Sequence, residues 1–244
     1  MTLNNGDYIL IIGHRGASKV APENTLKAFK EAIHLKADGI EFDLQETVDG
    51  EFVIIHDYNT LRTTGIEGNI EEMTLKELKK LDFGEGEKIP TLDELIKIAK
   101  GKISLNCEIK VKGIIKKVIE IFEDAKMEDS VMISSFLHKE LLSLRGIKTE
   151  IKLATLVPVK PANFSDWSFK KSLIDYTKEN NLYAINPLFK LVDKEFVNYA
   201  HKNNIKVFPW TVDSGIAMKK LIKFGVDGII TNDITRLKEV VNRQ

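Results

Sequence analysis

The sequence predicts an α/β fold of the (β/α)8 type, a TIM barrel, built as a single domain over residues 1–244. Three observations carry this. Apolar runs of strand length alternate with segments of helical periodicity along the whole chain, and eight such pairs can be counted. The length of 244 residues suits one such barrel, which typically needs ~250. Ionisable residues also gather where the apolar runs end, and a barrel places its chemistry at the C-terminal ends of its strands. The rival, an open doubly wound sheet, would put a glycine-rich phosphate loop after the first strand. Gly13-His14-Arg15-Gly16 lacks the G-x-G-x-x-G spacing, and no acidic residue stands in the ribose-binding role.

Taken in order, the first strand falls at about 8–12 and ends in that glycine-flanked pair. A helix follows, with Leu26, Phe29, Ala32, Ile33 and Lys36 at helical spacing and Asn24 or Thr25 as its cap. The second strand is 39–43. Asp49-Gly50 turns the chain back into a short apolar run at 52–55, an extra hairpin strand. Residues 57–90 form a long irregular section with Gly65, Gly68, Gly84 and Gly86 and one short helical pattern at 74–81. A stretch of that length in a compact domain reads as a functional loop or a small inserted subdomain.

The alternation then resumes. Thr91 caps a helix to 100, followed by a strand at 103–109, a helix at 113–126, a strand at 130–134 and a helix at 138–145 closed by Gly146. In the second half a strand at 151–157 leads into a loop with Pro158 and Pro161. Helices at 169–180, 193–201, 214–223 and 233–242 alternate with strands at 183–186, 205–210 and 227–231. A faint echo, Ala37-Asp38-Gly39-Ile40 against Val226-Asp227-Gly228-Ile229, supports repetition.

Composition narrows the function. Lysine plus arginine and aspartate plus glutamate balance at 36 each, and no basic stripe with interleaved aromatics stands out, so a nucleic-acid partner is not expected. Cys107 is the sole cysteine, which excludes an internal disulfide and fits a reducing compartment. The apolar run at 8–12 is too short for a signal core or a membrane span. The expectation is a soluble cytoplasmic protein without stable membrane insertion.

The candidate site follows from strand alternation. Glu41 and Asp43 are two apart and share one face of their strand. Ser104, Asn106, Glu108 and Lys110 share one face of theirs, and Ile103, Leu105, Cys107 and Ile109 the other, which makes Cys107 a buried small hydrophobe. Glu41, Asp43 and Glu108 thus converge on one barrel mouth, where mutual repulsion and burial would raise their pKa values. A divalent cation would relieve this, and oxygen-only ligands favour Mg2+ or Ca2+. The alternative is a structural network with Arg15 and Lys110. His14 and His56, each at a strand end beside carboxylates, read as an acid–base pair, whereas His34, His138 and His201 fall on helical segments as surface residues. Arg15 and Lys110 at the same mouth describe a phosphate site.

Assembled in order, these residues resemble the glycerophosphodiester phosphodiesterases. The resemblance runs through His14-Arg15-Gly16, Pro22-Glu23-Asn24-Thr25, Glu41-Phe42-Asp43, Thr47-Val48-Asp49-Gly50, Val53 and His56-Asp57. It continues through Leu61-Arg62-Thr63-Thr64-Gly65, Ile89-Pro90-Thr91-Leu92, Glu108-Ile109-Lys110 and Trp210-Thr211-Val212. The compact form is similar to the bacterial cytosolic members. The resemblance implies a TIM barrel with a segment inserted after the second strand, at about 57–90. It implies metal-dependent hydrolysis of glycerophosphodiesters to glycerol 3-phosphate and an alcohol. His14 and His56 then match the general acid and base, Glu41, Asp43 and Glu108 the metal ligands, Arg15 and Lys110 the phosphate contacts, and Trp210 an aromatic wall of the pocket.

Two readings compete. A lysophospholipase D would keep the site and add an apolar groove, for which Phe164, Trp167 and Phe169 are candidates. A non-catalytic sugar-phosphate binding barrel would show a decayed site. The chain departs from the family pattern twice: Asp213 stands where W-T-V-N is common, and Asn232 where T-D is common. Neither departure touches the inferred chemistry, but both are expected to change local hydrogen bonding at the mouth.

Overall fold

The computed structural model describes residues 8–144, 150–160 and 162–242. In chain order its first elements are β1 (Leu10–His14), α1 (Leu26–His34), β2 (Gly39–Glu46) and β3 (Phe52–Ile54), then two one-turn helices, α2 (Leu61–Thr64) and α3 (Leu75–Leu78). There follow α4 (Leu92–Ala99), β4 (Ser104–Ile109), α5 (Ile115–Asp124), β5 (Val131–Ser135), α6 (His138–Leu142) and β6 (Lys152–Val157). The chain ends with α7 (Trp167–Glu179), β7 (Ala184–Pro187), α8 (Lys194–Lys202), β8 (Lys206–Val207), α9 (Gly215–Phe224), β9 (Gly228–Thr231) and α10 (Ile234–Asn242).

The predicted barrel is present. Around it the order is β8-β7-β6-β5-β4-β2-β1-β9, and every pairing in that order is parallel. The ring closes between β8 and β9, where the Asp227 N–H donates to Val207 O and the Ile230 N–H to Pro209 O, both at 3.0 Å. β8 is shorter than the expected 205–210 because Pro209 has no N–H to give a ladder. Strand alternation sorts the core. Ile11, Ile40, Phe42, Leu105, Cys107 and Ile109 point outward into the layer under the helices. Leu10, Ile12, Met132, Ala154, Ala184, Phe208 and Ile230 fill the barrel.

Two local features set up the site. The Thr25 side chain accepts from Ala28 N and caps α1, so Asn24 is left free for another role. β3 runs antiparallel to β2, with Leu44 opposite Ile54 and Gln45 opposite Val53, through a turn at Gly50 whose φ of 81° favours glycine. The outer edge of β3 is covered where the Ile54 N–H donates to Pro90 O at 2.9 Å and Val53 bridges Thr91. Between these ends the chain carries a small core of its own: Val53, Ile55, Ile70, Leu78, Phe83 and Ile89.

α6 ends at Leu142. The helix expected to run to 145 stops short, with Ser143 as its cap and Leu144 in the turn that follows, while Arg145, its expected closing Gly146 and the loop residue Pro161 lie outside the described residues. His138 is not the surface residue expected: it is half-buried, stacks on Tyr176 and makes a 2.9 Å hydrogen bond to Leu156 O.

Candidate active site

β2 and β4 are neighbours, and their register sets Asp43 opposite Glu108 and Glu41 opposite Asn106. The three predicted acids therefore meet inside the barrel mouth. One carboxylate oxygen from each of Glu41, Asp43 and Glu108 lies within 4.8 Å of the others, and all three residues are buried, at 5%, 1% and 8% exposure.

The predicted cations meet them unevenly. Lys110 Nζ is 3.1 Å from Glu108 Oε1 and 3.4 Å from Asp43 Oδ1. Arg15 Nε is 3.3 Å from Asp43 Oδ2, without hydrogen-bond alignment, while its Nη1 donates to Glu23 at 2.8 Å. Asp43 thus takes both cations and the Asn24 amide at 2.9 Å. Glu41 receives the Arg15 backbone N–H at 3.1 Å and has no lysine or arginine side chain among its described ion pairs.

The protonation pattern follows. Burial, then the charges of Asp43 and Glu108, push Glu41 well above the usual carboxylate range. Burial, then Asp43, push Glu108 up to about 7 against the pull of Lys110. Burial would raise Asp43 too, but Lys110 and Arg15 overcome it and hold that acid low. The structural-network alternative is thus only partly realised: two cations, one of them shared with Glu23, face three acids.

The histidines flank this cluster. His14 ends β1, where the chain turns at once: Arg15 adopts a left-handed φ of 57° and Gly16 one of 84°. A Cβ on Gly16 would stand 2.8 Å from the Ala28 backbone, so glycine is required for this approach. His14 Nε2 is 3.9 Å from Glu41 Oε2, and Nδ1 is 2.7 Å from Asn232 Oδ1. Burial, with Arg15 beside it, lowers the His14 pKa. His56 follows β3, and its Nδ1 is 2.6 Å from Asp57 Oδ1. Its turn is held from below by Gln45, whose Nε2 donates to the carbonyls of Ile55 (2.9 Å), His56 (3.3 Å) and Asp57 (2.8 Å).

His14, Arg15, Glu41, His56, Glu108 and Trp210 line one cleft, whose apolar side is Phe136, Leu156 and Ile230. Trp210 is fixed by donating Nε1–H to Asn186 O at 2.9 Å and by edge-on packing against Phe136 at 5.6 Å.

Sequence reasoning assigned no role to several residues that the geometry makes part of the site. Gln45 continues the Glu41/Asp43 face of β2, a signal that alternation could have supplied. Arg62 donates to Glu23 and Asp57 and joins the Arg15 side of the mouth to the His56 side. Despite their burial, Glu23 and Asp57 are each brought down to about 2 by this arginine. Asn232 touches His14, and Asp213 touches Asn232 at 2.7 Å. The two departures from the family pattern therefore do reach a residue assigned chemistry. The candidates for a lipid groove pack elsewhere: Trp167 sits edge-on to Tyr199, and Phe164 and Phe169 pack on the core.

A model of the glycerophosphoryl diester phosphodiesterase family matches residues 14–236. A glycerophosphodiester phosphodiesterase of Caldanaerobacter subterraneus subsp. tengcongensis is 40% identical over 250 residues, spanning 96% of this chain and 98% of its own. One of Bacillus altitudinis is 34% identical, over 91% and 94% of the two chains. Among solved structures, an Oleispira antarctica phosphodiesterase in complex with its product sn-glycerol-3-phosphate is 26% identical, with a TM-score of 0.81 over 96% of each chain. A glycerophosphodiester phosphodiesterase of Thermotoga maritima is likewise 26% identical, with a TM-score of 0.81 over 96% of this chain and 98% of its own.

Proposed function

The chain belongs to the glycerophosphoryl diester phosphodiesterase family, and from that premise we propose that it hydrolyses glycerophosphodiesters to glycerol 3-phosphate and an alcohol, with Mg2+ or Ca2+ as cofactor. The observation that carries this reading is the meeting of three buried carboxylates, two cations and two histidines at one barrel mouth.

The donor set fits a hard dication. All three ligand candidates are oxygen donors within 4.8 Å of one another, and burial together with the surplus negative charge of Asp43 and Glu108 lifts the pKa of Glu41. When bound there, a divalent ion supplies electrostatic stabilisation of charge on the phosphoryl oxygens.

The chain's own residues do the rest. Arg15 and Lys110 draw the phosphodiester to the mouth and hold its non-bridging oxygens. His14, kept neutral by burial, takes a proton at Nε2 from the attacking hydroxyl. His56, the more exposed of the two, gives a proton to the departing alcohol. The attacking group is the adjacent glycerol hydroxyl, already in place beside the phosphorus, and water then opens the cyclic phosphate. The wall of Phe136, Leu156 and Trp210 shields the reacting centre from bulk water.

The test is release of glycerol 3-phosphate from glycerophosphocholine and glycerophosphoethanolamine, with lysophosphatidylcholine alongside, over Mg2+, Ca2+, Mn2+, Zn2+ and EDTA. Turnover of the glycerophosphodiesters that EDTA abolishes and added metal restores is expected. No turnover under any metal would withdraw the activity in favour of a binding barrel, and preference for the lysolipid would reassign the substrate.

A further inference from the structure

The loops after β1, β8 and β9 converge behind His14, on the side away from the carboxylates. The imidazole Nδ1 lies 2.7 Å from Asn232 Oδ1. Ser18 Oγ lies 2.8 Å from both that oxygen and the His14 backbone O, and its one proton serves one of them at a time, so it does not fix the amide. The other end of the amide, Nδ2, donates to Asp213 Oδ2 at 2.7 Å. Asp213 is itself fixed: its Oδ1 accepts the Asn232 backbone N–H at 2.9 Å and the Thr231 hydroxyl at 3.1 Å.

This chain of contacts settles two orientations, that of the Asn232 amide and that of the His14 ring proton. Turning the Asn232 amide over would set its oxygen 2.7 Å from a carboxylate oxygen, two acceptors with no proton between them. Asp213 therefore forces Nδ2 toward itself and Oδ1 toward His14. An amide oxygen only accepts, so His14 Nδ1 must carry the proton. In neutral imidazole the lone pair is then on Nε2, the nitrogen facing the Glu41 side of the cleft. A carboxylate with no contact to the imidazole thus decides which nitrogen of His14 meets the substrate.

We propose that Asp213 and Asn232 are a positioning pair for His14, with Asp213 locking the Asn232 amide and the amide locking the Nδ1–H tautomer. The proposal rests on the reading of His14 as the proton acceptor. The relative placement matters more than the identity of either residue. With acid and amide exchanged, a carboxylate at 232 accepts directly from Nδ1–H and an amide at 213 donates to that carboxylate, so the donor and acceptor sequence closes again. Either single exchange breaks it. Asp213→Asn frees the amide to turn over, and Asn232→Asp sets two carboxylates face to face.

The decisive measurement is the tautomer of His14, read from long-range 1H–15N correlations of 15N-histidine-labelled full-length protein and assigned with His14→Gln. Wild type is expected as Nδ1–H. Asp213→Asn is expected as a mixture of tautomers, with kcat on glycerophosphocholine lowered about 10-fold to 100-fold, the usual scale for an outer-shell orienter, and KM little changed. Asp213→Asn/Asn232→Asp is expected to restore both the tautomer and most of kcat. Nε2–H in the wild type overturns the proposal even if no variant folds. So does a folded Asp213→Asn that keeps the pure Nδ1–H tautomer, or a folded double variant no better than the worse single. A protein that shows the expected tautomers but turns over no phosphodiester would retain the pair and remove the activity instead.

Discussion

Replacing Glu108 with glutamine should stabilise the metal-free protein at alkaline pH while crippling metal binding. Glu108 is pushed from 4.5 to about 7 by burial and by Asp43, so between those values the folded protein holds a proton that the unfolded chain has released. Stability then falls as pH rises through that window, and the whole penalty is present above about pH 7. About 2.5 units at ~1.4 kcal/mol each sets it at about 3 kcal/mol. Glutamine escapes the penalty, and because the value of about 7 already includes the pull of Lys110, the gain at alkaline pH is the same: about 3 kcal/mol. Urea unfolding in EDTA measures it. Glu108→Gln should match wild type near pH 5 and exceed it near pH 8. With Mg2+ or Ca2+ in excess the order should reverse, because only wild type gains from binding to its folded state. A variant no more stable than wild type at pH 8 in EDTA, relative to pH 5, would refute this account of the acid cluster.

Three further outcomes are expected. His14→Ala and His56→Ala should each lower kcat by at least ~10²-fold, the usual scale of general acid–base catalysis, with wild-type melting curves. Gln45→Ala releases the three carbonyls that shape the His56 turn. It should lower kcat about 10-fold while calorimetry finds metal affinity unchanged, since Gln45 makes no contact with the acids. Thr91→Ala removes one half of the capping box with Glu94 at the start of α4. It should lower unfolding free energy by about 1 kcal/mol in denaturant titration, without affecting turnover.

Legibility in the sequence followed periodicity. The barrel was readable because each strand is an apolar run and each helix carries its own spacing. The shared faces of Glu41 with Asp43 and of Glu108 with Lys110 were readable for the same reason: alternation in a strand is local. What escaped was whatever depends on two distant turns meeting. Asn232 lies 218 positions from His14, on a loop with no period to announce it. Arg62 reaches back 39 positions to Glu23. Asn24 was read as a possible helix cap, but Thr25 takes that role and Asn24 turns to Asp43. The excess of acid over cation at the strand ends was visible in the motifs, Glu41, Asp43 and Glu108 against Arg15 and Lys110. That Lys110 and Arg15 both favour Asp43, and leave Glu41 with only a backbone donor, is a matter of ångströms.

The covered edge of β3 bears on how this enzyme can diverge. The chain leaves the barrel after β3 and returns antiparallel beside it, with Val53 and Ile54 tied to Thr91 and Pro90. The residues between carry a core of their own, and closing a longer or shorter excursion over so narrow a base changes the entropy only slowly. The segment is therefore an exchangeable cassette. A different excursion can be grafted at the same two strands without shifting the register of any barrel strand, provided that it brings its own equivalents of Asp57 and Arg62 to His56 and Glu23. Among the described residues the lining of the cleft takes only His56 from this end of the excursion, so such an exchange leaves the acid cluster beneath in place.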